Sequence, residues 1–418
     1  MATLDTALDP RAPSFLDNRS TAQAALRLLE QAHGQARDGG GEKEVTRHHA
    51  RGKLLPRERI ELLVDSDSAL LELAATAGRA GGEPAGAGLV TAVGIIDGVE
   101  CMLVASDPTV RDGDPALAGR RKLARAVELA GRQLLPLVLL LEATPDAGRP
   151  AAPDPALAEL SRLATPVLCG VFGPLDAWLA PLPDLCDHAI VVRGRAEAVR
   201  VDLVAEDDRD ALRLLRQSVR RLVTFRPPTP AVEGVPPRYE AEDLLAVASA
   251  DPDRPADARE VLARVLDGSD FDEFRPQQGP GLLAGFGAVH GHRVALLAGT
   301  DAVVDAESAA KGTELVRLAV AARMPVLVLA NPPVAGPGDH AALLLRELGR
   351  ADRITVVLGR EPGAWAVAGP GFRFTWPVGD LSSDPYDGVI DPRDTRTVLG
   401  ICLSVVARSA SADREVRP

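Results

Sequence analysis

The sequence predicts an α/β protein built from two duplicated lobes, and three observations carry that reading. The halves of the chain resemble each other in the order of their segments. Short, continuously apolar runs alternate with amphipathic ones, the pattern of strands buried on both faces and joined by helices. A proline-dense stretch separates the two copies. At 418 residues with 46% hydrophobic content the chain is also long for a single core, so two lobes are expected from size alone.

Taken in order, the Ala- and Leu-rich run before Gln31 and the basic cluster from Arg47 to Arg59 read as N-terminal helices packed on the first lobe. The intervening Gly39-Gly40-Gly41 reads as a flexible joint. The first copy then runs through Leu62–Leu73, a β-hairpin over Ala87–Asp107 turning at Asp97-Gly98, and an amphipathic helix over Gly119–Gln133. It ends in the apolar strands Pro136–Thr144 and Thr165–Gly173. The second copy repeats the order with Arg264–Phe274, a hairpin over Gly281–Asp301 turning at His290-Gly291, a helix over Glu307–Met324, and the strands Pro325–Pro333 and Arg353–Gly359. The copies are offset by about 190 to 200 residues, a domain-sized period. Prolines in Phe225–Glu240 forbid both helix continuation and strand pairing, which predicts lobes over 1–228 and 229–418.

Composition narrows the function classes. A net charge of -12, with no basic stripe interleaved with aromatics, argues against nucleic acid or an anionic membrane as partner. The longest apolar run, Leu134–Leu141, is too short to span a bilayer, and the first residues hold no apolar signal core. Four dispersed cysteines, Cys101, Cys169, Cys186 and Cys402, fit reduced core thiols and a cytoplasmic chain. No His, Cys or carboxylate cluster has metal-ligand spacing, so no bound metal is expected.

Two stretches carry a family likeness. Ala50–Asp65, ARGKLLPRERIELLVD, resembles the opening signature of the carboxyltransferase (beta) subunits of biotin-dependent acyl-CoA carboxylases, and Tyr386–Val406 resembles their closing signature. Gly88–Val110 is similar to the family's first hairpin and Leu203–Val223 to the end of its first lobe, so the resemblance covers nearly the whole chain. It implies a crotonase-like fold in each lobe, an acyl-CoA or carrier-bound acyl thioester as substrate, and biotin presented by a partner carrier domain of a biotin carboxylase system. It also implies a homo- or hetero-oligomer. The implied reaction moves a carboxyl group through an enolate, whose oxygen must be met by backbone N–H groups, as must the biotin ureido oxygen.

The resemblance implies Gly-Gly-Ala turns after the two first-lobe strands, yet Glu142–Pro155 and Cys169–Leu185 contain no Gly-Gly pair. The second lobe keeps a small-residue turn at Gly363-Ala364, whose amides are the candidate catalytic groups on the biotin side. Ser106, Thr109, Arg111, Gly113, Arg120 and Arg121 match the place where the family meets the nucleotide end of CoA, the arginines facing its phosphates. His340, at a predicted helix start, reads as capping or solvated before it reads as a base. Asp305 and Glu307 read as a helix cap. Asp391, Arg393, Asp394 and Arg396 read as an ion-paired turn, and Cys169 as a protonated core thiol. Three functions remain open on this basis: carboxyl transfer or decarboxylation of an acyl thioester, a non-catalytic subunit paired with an active relative, and a repurposed enzyme using the same cleft.

Overall fold

A computed structural model gives the fold. It describes residues 2–110, 117–143, 155–195, 200–223, 234–249, 251, 254–300, 304–331, 339–359, 371–377, 381 and 383–416. The chain divides into two compact units, one holding Gln31–Pro227 with Ser382–Asp384, the other Met1–Glu30, Pro228–Leu381 and Pro385–Pro418. Most of the expected joint, 224–233, lies outside the described residues.

The first unit carries a seven-stranded sheet in sequential order: β2 (Leu71–Leu73), β3 (Leu89–Ile96), β4 (Val99–Ser106), β5 (Leu137–Leu141), β6 (Val167–Val171), β7 (His188–Val192) and β8 (Leu203–Ala205). β2, β3 and β4 pair antiparallel, and from β4 to β8 all neighbours are parallel. Parallel neighbours need crossovers, which the helices supply: α4 (Leu117–Arg132) joins β4 to β5, and α5 (Pro155–Leu160) joins β5 to β6. β5 and β6 are buried at every position, which is why they read as unbroken apolar runs and not as alternating ones. α3 (Pro56–Leu63) and α7 (Asp208–Leu222) close one face over a core that includes Ile60, Leu63, Leu140, Phe172, Leu215 and Val219.

The second unit repeats the plan with eight strands. β9 (Asp270–Glu273), β10 (Leu282–Val289) and β11 (His292–Gly299) are antiparallel, and β11, β12 (Val326–Ala330), β13 (Arg353–Val357), β14 (Phe372–Thr375) and β15 (Gly388–Val389) are parallel. α10 (Ala306–Ala321) and α11 (Asp339–Leu348) are its crossovers. Duplication reaches the level of single hydrogen bonds. Both hairpin turns place two consecutive residues at positive φ, Asp97 and Gly98 at 51° and 79°, His290 and Gly291 at 48° and 78°, the geometry that follows strand twist. In each, an upstream aspartate accepts from both turn amides: Asp65 from Asp97 and Gly98, both at 2.8 Å, and Asp267 from His290 and Gly291 at 2.9 and 2.7 Å. An arginine of the unit's last helix then pairs with that aspartate, Arg216 with Asp65 and Arg396 with Asp267. Burial acts to raise the Asp65 pKa, but the Gly98 amide and Arg216 hold it below the ordinary carboxylate value.

The opening segment corrects one expectation. β1 (Ala2–Thr3) extends the second unit's sheet by pairing with β9, and Met1–Glu30 clusters with that unit instead of with the first lobe. An otherwise exposed sheet edge gains a partner there. Thr6 Oγ1 and the Ala7 N–H also donate to Glu260, a buried carboxylate already paired with Arg264. Among the described residues no helix is long and apolar enough to cross a membrane.

Candidate active site

Parallel sheets of this kind present ligand crevices beyond the carboxyl ends of their strands. In the second unit the ends of β13 and β14 open onto a small, partly open pocket. Leu358 and Trp376 form its apolar wall with Ala22 and Ala25 of α1 (Pro13–Arg37), while Ser249, Asp251 and Arg254 supply a polar side. Trp376 is 1% exposed, and its Nε1 donates to Thr395 Oγ1 at 3.0 Å, which fixes the ring plane against the wall. Neighbouring strand ends are stitched by Asn331, which follows β12: its Nδ2 donates to the carbonyls of Gly299 and Ala256, each at 2.9 Å, and its Oδ1 accepts from Ala256 N. The arrangement suits a compact, partly apolar ring that also makes hydrogen bonds.

At the corresponding place in the first unit the residue following β5 is Glu142, 2% exposed. Lys53 Nζ meets its Oε1 and Arg59 Nη2 meets its Oε2, while His48 Nε2 lies 3.9 Å from Oε2. Arg59, fully buried, stacks over Phe172 at 4.2 Å and reaches Asp208, which also pairs with Arg195 and accepts from Leu54 N. Burial lowers the His48 pKa from its ordinary value, against the pull of Glu142, so the ring is neutral beside the two cations. A buried carboxylate is tolerated only when paired in this way.

The sequence-predicted residues divide into two groups. Gly363, Ala364, Arg111 and Gly113 lie outside the described residues, as does the side chain of His340. Ser106 and Thr109 are 4% and 2% exposed and work inside the fold. Ser106 Oγ accepts from Glu142 N at 2.8 Å and donates to Glu142 O at 2.7 Å, and Thr109 Oγ1 donates to Asp107 and accepts from Gly40 N. Arg120 is half-buried and Arg121 exposed on α4. Asp305 caps α10, accepting from Ser308 N at 2.8 Å. Asp391 pairs with Arg393, which also reaches Glu242. A hydrogen bond with Cys186, together with burial, pushes the Cys169 thiol well above its ordinary pKa. Among the described residues no group of three His, Cys, Asp or Glu could hold a metal ion.

Sequence reading passed over Lys53, Arg59 and Glu142 as a unit, and the wall at Trp376. One signal was available for Glu142: a carboxylate closing an all-buried strand has to find cations.

Comparison with known proteins follows the same lines. A family model described as a carboxyl transferase domain matches residues 47–199 and 200–342. The chain is 31% identical to a probable biotin-dependent acyl-coenzyme A carboxylase beta2 subunit of Mycobacterium tuberculosis, over 97% of each chain. It is 30% identical to the biotin-dependent 3-methylcrotonyl-coenzyme A carboxylase beta1 subunit of the same organism, over 95% of this chain and 96% of that one. In structure it superposes on the beta subunit of geranyl-CoA carboxylase from P. aeruginosa with a TM-score of 0.84, 24% identity, and coverage of 98% and 97%.

Proposed function

The chain belongs to the carboxyl transferase domain family, an acyl-CoA carboxyltransferase of crotonase-like fold, and from that premise we propose how its two lobes divide the reaction. A partner carrier presents carboxybiotin to the second-lobe cleft, and the first lobe holds the acyl-CoA. The observation that carries this reading is the pocket at the ends of β13 and β14, whose Trp376 wall and polar side offer the mixed apolar and hydrogen-bonding lining that the bicyclic ureido ring of biotin needs. The segment between β13 and β14 includes Gly363 and Ala364, whose amides in this reading receive the developing ureido oxyanion. The nucleotide end of CoA meets the start of α4, with Arg120 and Arg121 offered to its phosphates.

Names of the relatives support a biotin-carrying partner and an oligomeric assembly. Four buried cysteines without a disulfide support a reducing, cytoplasmic compartment.

The reverse half-reaction tests the reading directly. Malonyl-CoA or methylmalonyl-CoA loses its carboxyl group as the Cα–C bond breaks, a new N–C bond forms on biotin, and the ureido proton passes to the α-carbon. Incubation of each thioester with and without free biotin, followed by mass spectrometry, should show decarboxylation that depends on biotin and is lost in Gly363→Val. Absence of turnover for both thioesters overturns the reading in favour of a non-catalytic subunit.

A further inference from the structure

The carboxyltransferase reading leaves one assembly without a role, the charged cluster at the ends of β5 and β6. Its equivalent in the second lobe shows what mere stitching of strand ends requires: Asn331, a neutral amide, ties two neighbouring segments with hydrogen bonds alone. In the first lobe the Ser106 hydroxyl already does that for Glu142, through its N–H and carbonyl. The Glu142 carboxylate is therefore surplus to backbone stitching, and its partners are the two cations of the opening signature, Lys53 and Arg59.

Space and charge agree. Gly173, just beyond β6, faces Glu142 so closely that a Cβ there would lie 2.6 Å from Oε1, so the carboxylate fills the gap between the two strand ends. Three cations, Lys53, Arg59 and Arg195, stand with two carboxylates, Glu142 and Asp208, an excess of one positive charge. Arg59 Nη1 has no hydrogen-bond partner although it is buried, and the Lys53 side chain, in contact with the carboxylate that follows β5, is 13% exposed. The carboxyl edge of a parallel sheet is where a ligand is met.

We propose that Glu142 is a positioning residue of the first lobe, holding the Lys53 ammonium at the carboxyl ends of β5 and β6, where its charge binds the anionic acyl end of a carboxylated thioester. This rests on the acyl-CoA carboxyltransferase reading. Arg59 anchors the far side of the same carboxylate and, through Asp208, ties it to the start of α7.

The test uses the full chain with Lys53→Met, Glu142→Gln and the double variant, each checked for folding by circular dichroism, with malonyl-CoA and free biotin varied separately. Both single variants should raise KM for malonyl-CoA at least tenfold and leave KM for biotin unchanged. The double variant, with one positive charge fewer than Glu142→Gln, should regain thermal stability over it but keep the raised malonyl-CoA KM. A double variant with wild-type KM, equal shifts in both KM values, or no shift in either overturns the proposal. Should the wild-type chain turn over no thioester, the carboxyltransferase reading fails by itself, and equilibrium dialysis with malonyl-CoA decides the positioning role: weaker binding by Lys53→Met than by wild type supports it, and equal or absent binding by both overturns it.

Discussion

Replacing Lys122 by methionine should change how stability depends on pH. Lys122 is buried in α4 with 4% exposure, and its ammonium donates to the carbonyls of Leu89 at 2.7 Å and Gly86 at 3.5 Å, with no carboxylate in contact among the described residues. Burial lowers its pKa from 10.5 to about 8, a shift equivalent to about 3 kcal/mol against the charged form in the folded chain. The sign follows from proton binding. Between the folded and unfolded values the unfolded chain holds a proton that the folded chain has released, so the burial penalty is relieved as pH rises through about 8. From about pH 7.5 to about pH 9.5 the wild-type chain should gain about 2 kcal/mol of stability relative to Lys122→Met. Loss of the bond to the Leu89 carbonyl costs the variant about 1 to 3 kcal/mol, but equally at both pH values. Urea unfolding of both proteins at the two pH values, followed by circular dichroism, measures the difference. Parallel pH profiles would refute the claim that this ammonium is held charged without a counter-ion.

Two further outcomes follow from the geometry. Gly371 has φ of +114°, and a Cβ built there would lie 1.9 Å from the Arg353 carbonyl oxygen, so Gly371→Ala should cost about 4 kcal/mol or more and show as a large fall in melting temperature or in soluble yield. His33, His48 and His290 all have pKa values lowered from 6.5, burial being the largest cause in each. Their unfolded forms take up protons that the folded chain refuses, so the histidine contribution should be flat above about pH 7 and stability should fall as pH drops below about 6.5, with a shallower fall in His48→Gln.

The overall duplication was legible because its signals are local. A strand buried on both faces reads as an apolar run, as β5, β6 and β12 do, and a two-residue hairpin turn with both residues at positive φ selects Asp-Gly or His-Gly. Asp305 could be read as a cap because the donor it satisfies lies three residues away. The family, too, was written in the sequence, at Ala50–Asp65 and Tyr386–Val406, where the order of residues persists.

Ser106 illustrates where such reading stopped. Its match to the place where the family meets CoA implied a ligand contact, whereas its hydroxyl is consumed by the two main-chain groups of Glu142, 36 residues on. Lys53 and Arg59 were visible as a basic run but not as the counter-ions of a carboxylate 89 and 83 residues away. The N-terminal strand likewise joined a sheet edge more than 260 residues distant. By itself the sequence determined the elements, their order, their repetition and the family, since backbone periodicity and turn stereochemistry act over a few residues. Tertiary structure alone decided which charges face one another, which hydroxyls are already satisfied and where a cavity opens, because those depend on distances between segments that only the folded chain brings together.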